Sequence, residues 1–322
     1  MLKFVIKRLL LMIPTLLGIT AIVLLFITIT PGDPARAMLG DRATEEEVQA
    51  LRDDMGLNDP YIVRYTRFIR NVLRGDFGLS YKTNRPVMDE MLLRLPYSLM
   101  LVCINMVFSL LIGVPLGIFA ATHQYTWKDN AAIIGSLFCV SMPGFWFALM
   151  LIQLVSVKWG LLKPSGIYDW TSWILPVITG SLAFAATIAR QTRSNMLEVI
   201  RQDYITTALA KGQSIGVVRY RHALKNAIIP VIMVVGGIFG MAVGGSMITE
   251  TIFSIPGLGL YTISALQSRD YPVIQSSVFL MSIWFAVVLL LIDVVFAIVD
   301  PRIRTQFAKV KVDKVAKGGA SE

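Results

Sequence analysis

The sequence predicts an all-α integral membrane protein: six transmembrane helices, an extracytoplasmic helical cap and a helical segment projecting into the cytoplasm. Three observations carry this reading. Of the 322 residues, 55% are hydrophobic and only 16% are charged, too little charge to solvate the surface of a water-soluble domain of that size. Mean hydropathy is +0.65. The apolar residues gather in runs near the roughly 20 residues that a helix needs to cross a bilayer.

The runs place spans at 9–30, 98–121, 131–157, 173–189, 227–249 and 273–299. Lys3, Lys7 and Arg8 precede the first and Ala35-Arg36-Ala37 follows it, as in a signal peptide. Its 22-residue apolar run is longer than the roughly 7–15 residues of a signal core, so it reads as an uncleaved helix. The organisation expected is a first helix (1–30), an outer loop (31–97), a five-span core (98–299) holding a long inner loop (190–226), and a tail (300–322). Six spans put both termini on one side. Seven Lys and Arg in 190–226, against Arg269 alone in 250–272, place that side in the cytoplasm. The net charge of +9 therefore follows membrane topology, and nucleic acid is not expected as a partner.

The loop 31–97 carries helix signals. Thr44 and Glu47 have capping-box spacing before Val48, Leu51 and Met55, with Gly56 as the stop. Asp59-Pro60 reads as N-cap and first position of a second helix. Its apolar stripe is Ile62, Tyr65, Phe68, Ile69, Val72 and Leu73, and Arg64, Arg67, Arg70 and Arg74 fall on the polar side. This cap is either a solvated face or a docking surface for an extracytoplasmic partner.

Within the spans, Gly113 and Gly117, and Gly236, Gly240 and Gly244, recur every four residues. Such spacing brings helix backbones close together. It serves packing within the subunit, a smooth wall along a pathway, or a subunit interface. Met142-Pro143-Gly144 interrupts the third span, as a packing kink or a bend beside a pathway. Phe145, Trp146 and Gln153 beyond it are candidates to line that pathway with Gly240 and Gly244, ordinary packing being the alternative. Asp293 is the one ionisable residue well inside a predicted span, and it lies close enough to Asp300 to meet interfacial water or a basic partner.

Catalytic signatures are missing. The sequence has no GxxxxGK[ST] phosphate loop and no HExxH. Cys103 and Cys139 lie in apolar runs, and His123 and His222 stand apart, so no metal site is expected. A membrane enzyme or an ion-coupled carrier would need a catalytic set or several midplane charges. An energy source outside the chain is the expectation, with no cofactor in the chain itself.

The inner loop has its own pattern. Asn195 is placed to cap a helix running to about Lys211, with Met196, Leu197, Ile200, Tyr204 and Ala208 along one side. Gly212 permits the left-handed turn that ends it, and Ser214 can cap a second short helix through Ile215, Val218 and Tyr220. Small residues (Thr206, Thr207, Ala208, Ala210) permit close approach of another surface. A helix of this kind can lie on the membrane, pack under the bundle or dock into a partner.

This segment resembles the EAA loop of ATP-binding-cassette importer permeases: EAA, three residues, Gly, nine residues, then IxLP. Thr206-Thr207-Ala208 and Gly212 take the first part, and His222-Ala223-Leu224-Lys225 the last. The Glu, one Ala, the Ile and the Pro of the pattern are replaced. The dipeptide/oligopeptide/nickel subgroup is closer, with DYIRTARAKG and RHALRNA matched here by DYITTALAKG and RHALKNA. FVIKRLLLMIPTLLGIT, TPGDPA, GLNDPY, RGDFGLS, ITETIFSIPGLG, RDYPVIQ and DPRIR also resemble that subgroup, in the same order along the chain. The resemblance, to the B-type permease, implies a cytoplasmic coupling helix held by an ATPase. Asp203, Tyr204, Thr206, Thr207, Ala208, Lys211, Gly212 and Leu224 are its coupling residues. It further implies two ATPase subunits carrying ATP and Mg, a second permease forming a heterodimer, and an extracytoplasmic substrate-binding protein. Location would be a prokaryotic cytoplasmic membrane. The cargo would be a di- or oligopeptide, or alternatively a nickel chelate or other small solute.

Overall fold

Residues 2–299 apart from residue 41 are described by a computed structural model. The segment 300–322, expected as a cytoplasmic tail, lies outside the described residues. Every regular element among the described residues is helical, with one isolated bridge, Leu79 to Pro86.

Helix α1 (Leu2–Ile29) leads to three short helices, α2 (Pro34–Leu39), α3 (Glu45–Asp54) and α4 (Tyr61–Leu73). Then come α5 (Val87–Thr122), α6 (Trp127–Ser141) and α7 (Gly144–Leu151), the last continuing as a π-helical stretch over Ile152–Lys158. Helix α8 (Ile174–Ile200) precedes the short α9 (Asp203–Ala210) and α10 (Ile215–Val217). A second π-helical stretch, Val218–Ala223, joins α10 to α11 (Leu224–Gly245), followed by α12 (Met247–Ile252), α13 (Leu258–Ser268) and α14 (Tyr271–Val299).

Among the described residues, five segments are long and apolar enough to cross a membrane: Val5–Ile29, Val87–Thr122, Trp170–Ile200, Ile215–Ile252 and Tyr271–Val295. The expected third span is not one helix. It is α6 and α7 bent by 95° at Met142-Pro143, and counts as a sixth crossing only if the pair is taken together. The cause is local: Pro143 has no amide donor, and Met142 and Pro143 adopt extended ψ values of 123° and 126°.

Other spans outrun their expected ends. Helix α5 starts eleven residues before 98, and its 36 residues reach about 54 Å. Helix α8 passes 189 without a break. Asn195, expected as an N-cap, therefore sits inside α8, buried, with its Nδ2 donating to the Ala227 carbonyl of α11 at 3.4 Å. The chain breaks instead at Arg201-Gln202, and α9 is a separate short helix. The segment 250–272, expected as an outer loop, is largely α12 and α13.

Helices α5 and α8 run parallel and form the spine. Ser109 Oγ donates to the Ser181 carbonyl at 2.9 Å, and Asn105 packs on Gly180. Further along, Gly113 and Gly117 press their backbones onto the carbonyls of Ala185 and Ala189. The four-residue glycine repeat of α5 thus serves packing within the subunit. In α11 the repeat divides. Gly236 faces Ile292 and Gly240 faces Phe285, both of α14, whereas a Cβ on Gly244 would meet nothing within 4 Å.

One end of the bundle gathers Ile27, Val87, Met91, Leu258 and Tyr271 in a core with the α2–α4 cap beside it. The other end gathers Ile118, Met196, Val218 and Ala227. The cap follows its local signals at α3. Thr44 Oγ accepts from the Glu47 amide at 3.3 Å and Glu47 returns a bond to the Thr44 amide at 2.8 Å. Gly56 turns the chain at φ +64°. Asp59 does not cap α4; its carboxylate pairs with Arg67 instead, and Pro60 occupies the cap position.

Candidate functional site

Helix α9 is seated on the end of the bundle where α5 and α8 finish. Ile205 and Ala208, one turn apart, are buried against Ile118, Ala121, Met196 and Ala223. The i, i+3 spacing puts both on one face, so the rest of the helix points away. Asp203, Tyr204, Thr206, Thr207, Leu209 and Ala210 are all exposed, as are Lys211 and Gly212. Leu224 is half-buried against the same core.

The ends of α9 are firmly set. Asp203 lies in the first turn, where a carboxylate complements the free N–H groups of the helix. At the other end Gly212 has φ +79°. Its amide donates to the Leu209 carbonyl at 2.9 Å, and the Gln213 amide donates to the Ala208 carbonyl at 3.3 Å. That paired arrangement is the Schellman motif, which a residue with a Cβ disfavours at the glycine. Ser214 then caps α10 through the Val217 amide at 3.5 Å. A side-chain tether completes the seat: Asn226 Nδ2 of α11 donates to Tyr204 Oη at 2.8 Å.

The surface so presented is apolar as well as polar. Tyr204, Leu209, Ile215, Val217 and Tyr220 are large hydrophobic side chains exposed around α9 and α10. An exposed cluster of this kind on a rigid short helix suits a protein partner.

Of the residues that sequence reasoning offered for coupling, Asp203, Tyr204, Thr206, Thr207, Lys211 and Gly212 are exposed, whereas Ala208 is an anchor buried in the bundle and Leu224 is half-buried. Ile205 was legible only through its spacing from Ala208. The Asp129–Arg193 pair fixes α6 to α8 near this end, with Arg193 Nε and Nη2 at 2.6 and 2.7 Å from the two carboxylate oxygens. No local pattern marks two residues 64 positions apart as partners.

The other candidates lie elsewhere. Phe145, Trp146 and Gln153 are exposed on the elbow formed by α7 and its π-helical continuation. Gly240 is buried against α14, and Gly244 lies on an exposed part of α11. These residues form no cluster with α9. Asp293 meets a basic partner, Arg8 of α1, at 3.0 Å.

Glu250 and Asp270 are further buried carboxylates that the sequence reading did not name. Glu250, fully buried, accepts from Ser98 Oγ (2.7 Å), Ser246 Oγ (2.8 Å), the Gly259 amide (2.7 Å) and the Leu260 amide (3.1 Å). It thereby ties α5, α11 and the start of α13 together. Asp270 accepts from Ser80 Oγ at 2.6 Å and from the amides of Tyr81 and Lys82 at 3.1 and 3.3 Å. Each therefore joins segments far apart in the chain. No group of three or more His, Cys, Asp or Glu able to hold a metal occurs among the described residues.

A bundle of membrane-length helices that seats a short, outwardly exposed helix at one end defines a polytopic membrane protein. The chain belongs to the family of binding-protein-dependent transport system inner membrane components. That family's model matches residues 113–305, and its N-terminal component matches residues 1–102. The chain is 40% identical to the dipeptide transport system permease protein DppB of Alkalihalophilus pseudofirmus, over 94% of its own length and 100% of that protein's. It is also 40% identical to the glutathione transport system permease protein GsiC of Escherichia coli (strain K12), over 94% and 99%. Among solved structures, an inward-facing form of the MetNI methionine ABC transporter aligns with a TM-score of 0.54. That match covers 66% of this chain and 97% of the other at 17% identity, a likeness of fold. The chain is therefore a multi-pass inner-membrane permease of an ABC importer, of the DppB-type subgroup.

Proposed function

We propose that this permease imports di- or oligopeptides by alternating access, driven by two separate ATPase subunits that carry the ATP and Mg. The observation that carries the reading is α9: anchored through Ile205 and Ala208, capped at Gly212, and exposing Tyr204, Thr206, Thr207, Leu209 and Lys211 to whatever binds that end. In this reading α9 is the coupling helix, and Asp203 and Leu224 set its position. The α9 end is cytoplasmic, as are both termini, because the seven Lys and Arg of 190–226 gather there. A second, different permease completes the pore, and an extracytoplasmic binding protein delivers cargo. The elbow residues Phe145, Trp146 and Gln153, with Gly244 on α11, are offered to the pathway or to the second permease. Gly240 supports the wall by packing on α14.

Physically, the ATPase must bind two packings of the bundle with different affinity, since only a differential interaction shifts an equilibrium. A seat fastened to α5, α8 and α11 at once passes such a bias to three spanning helices.

A second cargo reading, glutathione or a similar small peptide, is favoured by the GsiC relative at the same identity. Reconstitution with both ATPases, the second permease and the binding protein tests both. ATP-dependent uptake of a labelled dipeptide or oligopeptide supports the first, uptake of labelled glutathione alone supports the second, and uptake of none of them overturns both.

A further inference from the structure

Helix α4 does not sit above the bundle as a water-exposed cap; it lies against the flank of the spanning helices. Tyr61 Oη donates to the Ala21 carbonyl at 2.6 Å and Tyr65 Oη to the Leu17 carbonyl at 2.9 Å. Leu17 is twelve residues before the end of α1 at Ile29, about 18 Å along the helix. Phe68 meets Phe279, eight residues into α14, edge to face at 6.2 Å. So α4 stands beside α1 and α14, against the part of α1 that is long and apolar enough to cross a membrane.

Its outward side is not what a water-facing helix presents. At 100° per residue, Ile62, Thr66 and Leu73 share one strip, and Arg67, Arg70 and Arg74 lie on the next. Ile62 and Leu73, the first and last residues of the apolar stripe, are 65% and 83% exposed. On α1, Ile22, Phe26 and Ile29 are likewise exposed. Arg64 reaches Thr28 Oγ at 3.3 Å and Arg67 pairs with Asp59. Arg70 and Arg74 are exposed and have no hydrogen-bonding or ionic partner among the described residues.

An apolar edge beside a cationic edge, on a helix packed against spanning helices, is the pattern of a helix at the headgroup boundary. We propose that α4 binds anionic phospholipid, with Ile62 and Leu73 against the acyl chains and the Arg70 and Arg74 guanidiniums on the lipid phosphates. Planar guanidinium groups suit phosphate oxygens, and their aliphatic stems let them reach the headgroups from below.

The test uses the full chain, alone and within its assembled transporter, in phosphatidylglycerol vesicles. Nitroxide labels are placed through Ile62→Cys, Leu73→Cys and, as an aqueous reference on α3, Gln49→Cys, with Cys103→Ser and Cys139→Ser. The labels at 62 and 73 are expected to collide with oxygen more than with a water-soluble nickel chelate, and the label at 49 the reverse. An Arg near an anionic surface contributes about a fivefold gain in affinity. The Arg70→Gln/Arg74→Gln variant should therefore lose about 25-fold of its preference for phosphatidylglycerol over phosphatidylcholine, read by native mass spectrometry. Labels that behave like the one at 49 overturn the proposal. So do labels shielded from both reagents, which would mean that protein covers the face, and so does an unchanged lipid preference.

Discussion

Gly117 of α5 lies so close to Ala189 of α8 that a Cβ on the glycine would stand 2.5 Å from the Ala189 carbonyl oxygen. Gly113 repeats the contact with Ala185 at 2.6 Å. Backbone opposes backbone at both points, so neither can yield by a rotamer change. Gly117→Ala should force the helices apart and destabilise the protein by about 1–3 kcal/mol, the range for overpacking. Gly244→Ala, with open space around it, should be nearly neutral. Thermal unfolding of the purified permease in detergent compares the two, and equal shifts would contradict the assignment of the α5 repeat to helix packing.

Glu250 concentrates four donors on one buried carboxylate. Glu250→Ala takes the acceptor from the Ser98 hydroxyl and from two amides, each worth about 1–3 kcal/mol when buried without a partner, while the Ser246 hydroxyl keeps the Val243 carbonyl. Glu250→Gln keeps the shape but turns an –NH2 toward groups that donate. The expected order of thermal stability is wild type, then Gln, then Ala, with Ala lowering expression as well. A Gln variant as stable as wild type would show that the carboxylate charge contributes nothing to the tie.

Much of this fold was legible where the signal was local. Thr44 and Glu47, Gly56, Gly212 and Ser214 act on neighbours in sequence, and each stands where its spacing put it. The break at Met142-Pro143 was legible because proline lacks a donor, although its 95° angle was not. Asn195 misled because the same side chain that caps helices also bonds across them, and α11 supplied a carbonyl. Glu250 and Asp270 were invisible because their donors arrive from residues 98 and 80. In the candidate site the exposed face of α9 was legible from small residues and glycine. Its anchor depends on α5 and α8, which no window of sequence contains.

The Asp129–Arg193 pair links α6 to α8 with an almost fully buried carboxylate. Removing one partner leaves the other charge without compensation. Asp129→Asn and Arg193→Gln should each cost about 3 kcal/mol. The double variant should cost clearly less than their sum, because the residues share one interaction. A thermodynamic cycle from chemical unfolding checks this; additive losses would mean the pair is not coupled.

The cap carries an acid sensitivity with a definite sign. At Asp33, burial raises the carboxyl pKa, but the Arg52 guanidinium and the Ala35 amide outweigh it and hold it below its usual value. At Glu47, the Thr44 amide and hydroxyl do the same. A depressed folded-state pKa contributes stability that is present above the unfolded-state value, near 4, and is lost as pH falls through the folded-state value. Hydrogen exchange of the α3 amides, corrected for intrinsic rates, should show constant protection from about pH 7 to 5 and a decline below about 4. Asp33→Asn should flatten part of that decline. Protection that rises on acidification would reverse the assignment.

Helix α9 allows its seat and its outer surface to be tested apart. Gly212 holds φ +79°, whereas proline fixes φ near −65°, so Gly212→Pro must dismantle the cap and shift the helix end. Ala208 is buried against α5 and α8, so Ala208→Trp should lift α9 off the bundle. Leu209→Asp alters only the exposed side and should leave thermal stability within about 0.5 kcal/mol of wild type, as for other surface changes. If α9 carries force from the ATPases, all three should reduce ATP-driven uptake at least tenfold. They should differ in assembly: Leu209→Asp weakens ATPase binding on an intact seat, while the first two change the seat itself. Pull-down of the ATPases, ATP hydrolysis stimulated by the loaded binding protein, and uptake, all in proteoliposomes, separate these effects. Uptake and stimulated hydrolysis both unchanged in Leu209→Asp and Gly212→Pro would remove α9 from the coupling path.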